Sequence, residues 1–432
     1  MKIIKRIMSV SLLVFFLAAT AIAQGLPQAK TPEEVGFSSE RLARLTAGLD
    51  DKIIPGAVAI VVRKGKVAYF EAIGYRDREK KIEMTRDSIF RLASMSKPFA
   101  SLAIMMLVEE GKLQLGHPVS RYLPELKDMK VGVEMIIEET GKAKLVLVPA
   151  NREMTVQDLL RHTSGLTYWF FGKPSLAKDR WKEINPFDFK YKQTNAEMVT
   201  KISKCPLCYQ PGTTWDYSQS TDVLGRVVEV VSGVSLDTFI AERIVKPLKL
   251  TDTGFWADGA DRQARVAELQ VDPATGKKPL DIVFTKRPNW LSGAGGMVST
   301  ASDYARLCQF FLNGGTLDGV RLVSRKTVEL MTSNHLPADI EYAPALQKQF
   351  GPMYPSPEVG QGFGLGFCVR TKQGLNPLPG SVGDYHWAGY YGTYFWVDPK
   401  EELIAALMHQ SVSQRAHYRS FMRYLVYQAI ME

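Results

Sequence analysis

The sequence predicts an α+β fold in which both ends of the chain complete one antiparallel sheet, flanked by N- and C-terminal helices. Two apolar runs on either side of a turn, Val58–Arg63 and Val67–Gly74, predict a hairpin near the start of the chain. Strand-like runs return only near the end, at Phe363–Arg370, Gly392–Val397 and Leu403–Met408. The segment between these two groups has helical patterns and long loops, so we expect an inserted, mostly helical subdomain.

The first 23 residues have the features of a signal peptide. Lys2, Lys5 and Arg6 precede an apolar stretch, and Ala21-Ile22-Ala23 is a small-residue cleavage site, so Gln24 is the expected mature N-terminus. An uncleaved anchor is the alternative, but the apolar stretch is short for a membrane span. We therefore expect a periplasmic or secreted protein with no stable membrane span in the mature chain.

The expected mature chain, residues 24–432, is longer than the chain that one compact core usually contains. We therefore expect two coupled parts of one domain. We assign an α/β part to about 30–113 and 290–432, and a helical part to about 114–289. The whole chain carries a net charge of +9, but its basic residues are scattered. Because no recognition motif accompanies the charge, nucleic-acid binding is not predicted.

The helices are predicted from the spacing of their apolar residues. Ser38–Leu49 is amphipathic, whereas the run Pro98–Val108 is apolar on every face. We expect the helix that contains this run to begin near Ser94, to end at Gly111, and to lie buried between two layers. Further helices are expected at Val156–His162, Thr221–Val231, Leu236–Ile244, Ser299–Leu312 and Gln414–Ile430, and the Pro- and Gly-rich run Asn334–Gln361 should be irregular.

Two local patterns leave alternatives open. The segment Tyr168–Tyr191 is rich in aromatic residues, and is either a surface loop that packs on itself or a wall of an apolar substrate pocket. Cys205 and Cys208 form either a local disulfide or two free thiols, and one such pair is a poor zinc motif. Cys308 has the spacing of a core residue within a helix.

Ser94 and Lys97 are the most informative residues of the chain. They lie at i and i+3 at the start of the buried helix and so share one of its faces. A serine hydroxyl is a poor nucleophile at neutral pH unless a base removes its proton, and a lysine one turn away can supply that base. Ser94 could instead be a plain helix cap, and Lys97 a solvated charge. The apolar helix that follows disfavours the second alternative.

Five segments in order along the chain resemble the serine β-lactamase-like superfamily, which includes class C β-lactamases, DD-peptidases and family VIII carboxylesterases. They are Phe90–Lys97, Leu159–Gly165, Pro211–Ser218, Gly295–Thr300 and Gly392–Pro399. The set is far more specific than Ser-x-x-Lys alone, and it spans nearly all of the chain beyond the leader. The resemblance implies a β-lactamase/transpeptidase-like fold. No G-x-S-x-G motif is present, which disfavours an α/β-hydrolase.

The resemblance also implies roles. Ser94 would be the acylated nucleophile, Lys97 its base or hydrogen-bond partner, and Tyr217 the proton relay to the leaving group. The backbone N–H groups of Ser94 and Tyr390 would form the oxyanion hole. We expect the Lys97 cation to lower the pKa of Tyr217. This mechanism needs no metal or other cofactor. His162 is interpreted as structural.

Two positions depart from the lactamase pattern. When the third motif, usually Lys-Thr-Gly, is aligned on Gly389, Trp387 stands where the cation would be, and Trp-x-Gly is what family VIII esterases look like. In these relatives the missing cation binds a carboxylate of the substrate. This chain lacks that contact unless His386 replaces the cation. Gln219 stands where many relatives have the Asn that contacts the acyl-side carbonyl. We therefore place Gln219, His386, Trp387 and Gly389 in the substrate-binding site.

Three functions follow from this pattern. The favoured hypothesis is an exported serine hydrolase that acts through a Ser94 acyl-enzyme on short-chain carboxylic esters. The alternative is a class C-like β-lactamase or D-amino-acid peptidase, which export favours and Trp387 disfavours. The third is a non-catalytic penicillin-binding or sensor protein. The expected partner is a small-molecule ester or amide, and the sequence does not predict the oligomeric state.

Overall fold

A computed structural model describes residues 25–50, 52–184, 193–273, 275–279 and 285–432. The expected signal peptide lies outside these residues, as do Phe187, Phe189 and Tyr191 of the aromatic segment. The leader and the export that it implies therefore stay predictions.

The strands of the described residues fall into one large sheet and several two-stranded ones. They are β1 (Gly56–Arg63), β2 (Lys66–Asp77), β3 (Ile82–Glu83), β4 (Phe90–Arg91), β5 (Lys130–Ile137), β6 (Lys142–Pro149), β7 (Thr214–Trp215), β8 (Val298–Ser299), β9 (Thr316–Leu317), β10 (Val320–Arg321), β11 (Glu341–Tyr342), β12 (Gln361–Phe363), β13 (Cys368–Arg370), β14 (Tyr385–Ala388), β15 (Tyr394–Asp398) and β16 (Leu403–His409).

The large sheet has eight strands in the order β12-β13-β14-β15-β16-β1-β2-β3, and every neighbouring pair is antiparallel. Strand β1, near the start of the chain, pairs with β16, near its end, in a register that sets Ile60 opposite Ala406. Both ends of the chain therefore complete one sheet. The α+β fold class predicted from the sequence is confirmed.

The described residues contain α-helices on both faces of this sheet and in the segment inserted between its strands. They are α1 (Ser39–Leu49), α2 (Lys97–Glu109), α3 (Val156–Leu160), α4 (Leu176–Asp179), α5 (Asn195–Ile202), α6 (Ser220–Ser232), α7 (Leu236–Ile240), α8 (Gly259–Ala264), α9 (Ala301–Leu312), α10 (Arg325–Met331), α11 (Leu346–Phe350) and α12 (Arg415–Tyr427).

Strand β1 divides the core because both of its faces are buried. Val58 and Ile60 belong to the larger core with Phe99 of α2, whereas Ala59 belongs to the core that contains Tyr418 of α12. Alternate residues of a strand point to opposite faces, so β1 joins a helix layer on each side of the sheet. Helix α2 lies in the inner layer and is buried from Lys97 to Leu107, as its apolar sequence predicted.

Several features differ from the sequence predictions. Strand β14, which carries the third motif, was not predicted. The central segment contains a hairpin, β5 and β6, that we did not predict. Its strands are largely exposed, so they lack a clear alternation of apolar and polar residues. The predicted strand Phe363–Arg370 is split into β12 and β13, and the predicted helix Leu236–Ile244 is split into α7 and a π-helical turn, Ala241–Val245. The proposed boundaries between the two parts of the domain stay a prediction.

Within the described residues, no helix combines the length and the apolar character that crossing a membrane would require.

Candidate active site

Ser94 lies in a short 3₁₀ turn, Ala93–Ser96, between β4 and α2. Strand β4 pairs with β8, and the Leu92 amide donates a hydrogen bond to the Met297 carbonyl at 2.9 Å. Ala93 has a φ of 46°, in the left-handed region that residues with a Cβ rarely adopt. This strained residue turns the chain from the strand into the helix, and the half-exposed Ser94 side chain lines a cavity.

Lys97 points back toward Ser94 from the first turn of α2. Its Nζ lies 3.2 Å from Ser94 Oγ and donates to the Ala294 carbonyl at 2.9 Å. The residue is only 2% exposed, so it is not a solvated surface charge. Burial lowers the pKa of Lys97 to about 7, although the Asp222 carboxylate opposes that shift. At neutral pH a large fraction of this amine is uncharged and able to accept a proton.

Asp222 of α6 supports the same corner of the site. Its Oδ1 accepts hydrogen bonds from Ser292 Oγ at 2.6 Å and from the Ala294 amide at 3.3 Å. Lys97 donates a hydrogen bond to the Ala294 carbonyl. The two ionisable side chains therefore bind the same residue, Lys97 at its C=O and Asp222 at its N–H. Burial raises the pKa of Asp222, against the hydrogen bond from Ser292 and the charge of Lys97. We did not predict this residue, since no motif marks it.

Tyr217 completes the group, but its ionisation differs from the prediction. Its ring lies 4.7 Å from Lys97 Nζ, and its hydroxyl is hydrogen-bonded to Ser94 and accepts from Trp387 Nε1 at 3.2 Å. Burial raises the pKa of Tyr217, and the bonds to Ser94 and Trp387 offset only part of this rise. The expectation that this pKa is lowered is wrong, because the burial of Tyr217 outweighs the interactions that favour its phenolate.

Gly389 allows the third motif to approach the nucleophile. A Cβ at this position would lie 2.1 Å from the Leu92 carbonyl oxygen and 2.1 Å from Thr393 Oγ1, so no larger residue fits. The close contact places the end of β14 beside the turn that carries Ser94. Tyr390 lines the same cavity as Ser94. An oxyanion hole formed by the backbone N–H groups of Ser94 and Tyr390 stays a prediction.

The cavity beside Ser94 has a volume of about 200 Å³, and one part of its wall is aromatic. Phe171 and Phe350 pack on Tyr217, with ring centroids 5.6 and 5.4 Å from its own. Phe171 belongs to the aromatic segment, so this part of the segment is a wall of the cavity. Trp181, from the same segment, is instead buried and donates to the Pro206 carbonyl at 2.9 Å.

Two residues that we assigned to substrate binding do not line this cavity. His386 lies next to Trp387 on β14 and therefore points to the other face of the sheet, where its Nδ1 is 3.9 Å from Asp384 Oδ1. Burial lowers the pKa of His386 to about 4, so it does not supply the missing cation at neutral pH. Gln219 is fully buried, and its Nε2 donates to the Ile184 carbonyl at 3.2 Å.

Three cations that the sequence analysis did not assign to the site line the cavity: the exposed Lys348 and two arginines. Arg415 and Arg419 lie one turn apart on α12. The Arg415 guanidinium donates to the Tyr390 carbonyl at 3.2 Å, and that of Arg419 donates to the Gly389 carbonyl. Their i, i+4 spacing was visible in the sequence, but nothing local indicated that α12 reaches the end of β14.

Cys205 and Cys208 are both free thiols in the structure. Cys308 is buried in α9, as its helical spacing predicted. His162 is also buried, and its Nδ1 lies 3.1 Å from Ser218 Oγ, which fits the structural role assigned to it.

Comparison with known proteins finds similarity over most of the chain. A family model described as Beta-lactamase matches residues 42–426. Protein Rv1367c of Mycobacterium tuberculosis is 36% identical over 369 residues, which cover 84% of this chain and 87% of that protein. Esterase EstB of Burkholderia gladioli is 30% identical over 376 residues, covering 82% of this chain and 87% of the esterase. Among solved structures, EstCE1, described as a hydrolase with promiscuous acyltransferase activity, has a TM-score of 0.69 at 25% identity, covering 90% of this chain and 99% of its own.

Proposed function

The chain belongs to the beta-lactamase family of serine hydrolases, and on this premise we propose that it is an exported enzyme that hydrolyses short-chain carboxylic esters through an acyl-enzyme on Ser94. One observation carries the proposal. The half-buried Ser94 and the buried Tyr217 line one cavity, and the buried Lys97, with a pKa of about 7, lies 3.2 Å from the Ser94 hydroxyl. A serine beside an uncharged amine is an activated nucleophile.

The proton path follows from an uncharged Lys97 amine and a protonated Tyr217 hydroxyl. The uncharged Lys97 amine takes the proton of Ser94 Oγ as that oxygen attacks the ester carbonyl. The Tyr217 hydroxyl, whose raised pKa keeps it protonated, donates to the departing alkoxide and is reprotonated from Lys97. The alcohol leaves with one proton. Water then attacks the acyl-enzyme, gives its proton back along the same path, and releases the acid and free Ser94.

The preference for esters rests on the third motif and on the size of the cavity. Trp387 fills the position of the lactamase cation with an apolar ring, and its indole N–H is bonded to Tyr217. A cavity of about 200 Å³ is small beside ligand sites of about 300–1,000 Å³. It therefore suits a short acyl group better than a fused bicyclic lactam. A relative named as an esterase supports the same preference.

Steady-state hydrolysis of nitrophenyl butyrate tests the proposal. We expect Ser94→Ala to lose nearly all activity, because Ser94 is the cavity hydroxyl that lies beside the Lys97 amine. Ser203→Ala is the matched control, since this serine is also half-buried and its hydroxyl donates to the Thr200 carbonyl, away from the cavity. Equal rates for wild type and Ser94→Ala would refute the assignment. Turnover of a chromogenic cephalosporin within about tenfold of the ester rate would instead favour the β-lactamase alternative.

Export is tested separately with the full chain. We expect cell fractionation to recover the protein outside the cytoplasm with Gln24 at its N-terminus. Recovery of an uncleaved chain in the membrane fraction would support the anchor alternative.

A further inference from the structure

We infer that Lys178 is a positioning residue that limits the length of the acyl chain, because it ties the Phe171 wall of the Ser94 cavity to Asp216, the residue before Tyr217. This role rests on the proposed function and names what selects the acyl group at the same site. Lys178 does not line the cavity, so it acts through Phe171 and not by contact with the substrate.

Lys178 lies in the short helix α4, and its side chain is only 2% exposed. Its Nζ donates a hydrogen bond to the Phe171 carbonyl at 2.7 Å and lies 3.5 Å from Asp216 Oδ2. Asp216 is also buried, and its amide donates to the His162 carbonyl at 3.0 Å. One buried amine therefore joins the loop that carries Phe171 to the segment that carries Tyr217.

Phe171 is placed to set how long a chain the cavity accepts. Its half-buried side chain lines the cavity with Ser94, and its ring centroid lies 5.6 Å from that of Tyr217 and 5.5 Å from that of Phe350. One methylene in an apolar pocket changes kcat/KM by about 10- to 200-fold. A small displacement of this ring therefore changes the preferred chain length.

The buried ion pair holds the loop in one arrangement. Removal of two charges from water costs about as much free energy as their attraction returns, so such a pair is weak evidence for stability alone. Gly172, with a φ of 70°, brings the loop close to the amine, and a Cβ there would lie 3.0 Å from Lys178 Nζ. The loop, the amine and the Asp216 carboxylate therefore fit together with Phe171 at the cavity.

The tie depends on the charge of Asp216. Burial raises the pKa of Asp216 to about 6, against the charge of Lys178. Cys208, Tyr209 and Tyr354 also face this carboxylate, but burial raises the pKa of each, so all three are uncharged near pH 6. As pH falls through about 6, Asp216 gains a proton and the ion pair is lost. We expect the wall to loosen over the same range.

The ratio of kcat/KM for nitrophenyl octanoate to that for nitrophenyl butyrate tests the inference. Protonation of Lys97 affects both esters alike, so it cancels from the ratio. We expect Lys178→Met to raise the ratio by about tenfold or more, mainly through a lower KM for the octanoate, because the freed Phe171 admits the longer chain. In wild type the ratio should rise as pH falls from about 7.5 to about 5.5, whereas in Lys178→Met it should stay constant.

Arg306→Met is the matched control. Arg306 is 3% exposed, donates to the Leu248 carbonyl and pairs with Asp318, so it also joins a carbonyl to a carboxylate, but away from the cavity. The free energy of unfolding in urea should fall in both variants, and only Lys178→Met should change the ratio. If Lys178→Met does not fold, the pH dependence of the wild-type ratio decides.

An unchanged ratio in folded Lys178→Met, or an equal change in Arg306→Met, would overturn the inference. So would a wild-type ratio that does not change with pH over this range. If neither ester is hydrolysed in a Ser94-dependent way, the proposed function itself fails.

Discussion

Two clusters of buried charges in this molecule, one around Asp384 and one around Lys97, are balanced differently. In the Asp384 cluster, Arg370 Nε donates to Asp384 Oδ2 at 2.8 Å, and Arg423 contacts the same carboxylate oxygen. Burial alone would raise the pKa of Asp384, but the charge of Arg423, the neighbouring His386 and Arg370 together hold it well below its usual value. This carboxylate therefore stays ionised and paired at neutral pH.

The Lys97 cluster, formed by Ser94, Lys97 and Asp222, lies on the opposite side of the sheet and lacks such pairing. Lys97 and Asp222 both bond to Ala294 rather than directly to each other, and Asp222 Oδ2 has no hydrogen-bond partner. Burial therefore shifts both pKa values toward the neutral forms. The paired charges around Asp384 therefore join the sheet to α12. The unpaired Lys97 instead provides a group that titrates near pH 7.

Removing the nucleophile should have the largest effect on activity and little on stability. Ser94→Ala should lower kcat for nitrophenyl butyrate by at least about 10³-fold. The free energy of unfolding should change little, because the side chain is small and half-exposed. Steady-state assays and urea titrations check the two halves of this prediction. A variant that lost stability along with activity would place Ser94 in the packing instead.

Replacing the base should lower activity without lowering stability. Lys97→Met should reduce kcat by about 10²- to 10⁴-fold, the usual contribution of a general base. Its free energy of unfolding should stay the same or rise, because an apolar side chain of similar length replaces a buried amine. A clear loss of stability would show that Lys97 is a structural charge.

Breaking the Asp384 cluster should lower stability and leave activity nearly unchanged. Asp384→Ala leaves Arg370 and Arg423 buried without their carboxylate, and it should cost about 3–5 kcal/mol of stability. Under conditions where the variant is folded, kcat should stay close to that of wild type, because Asp384 does not line the cavity. Asp50→Ala, at an exposed position, is the control. Chemical denaturation of all three proteins measures the difference.

The pH dependence of kcat/KM should report the protonation of Lys97. We expect this effect to be smaller than the effects of the substitutions above. Because the uncharged amine is the active form, kcat/KM should rise as pH increases through about 7, where Lys97 loses its proton. The Asp222 carboxylate raises the pKa of Lys97, so Asp222→Asn should lower that pKa and move the rise to lower pH. A rise near the ordinary pKa of tyrosine, about 10, would indicate Tyr217 as the base instead.

Local pattern was enough to predict much of the fold. The hairpin of β1 and β2 and the all-apolar helix α2 depend on residues that are close together in the sequence. The same applies to Ser94 and Lys97, which share a helical turn. Trp387 was found because a short motif could be aligned on Gly389.

The rest depended on contacts between distant segments. Asp222 meets Ser292 and Ala294, some seventy residues away along the chain, and Arg419 of α12 meets Gly389 at the end of β14. Neither contact leaves a local pattern. The orientation of His386 was missed because strand β14 was not predicted, and so the alternation of its faces was not applied. The ionisation of Tyr217 depends on burial by Phe171 and Phe350, which also come from distant segments.

The central claim is that Ser94 becomes acylated during turnover. The most direct measurement is mass spectrometry of wild type that is acid-quenched during hydrolysis of excess nitrophenyl butyrate at pH 7. We predict a butyryl group on the peptide that contains Ser94, and no adduct in Ser94→Ala. Turnover by wild type with the adduct on another residue, or undiminished turnover by Ser94→Ala, would contradict the account.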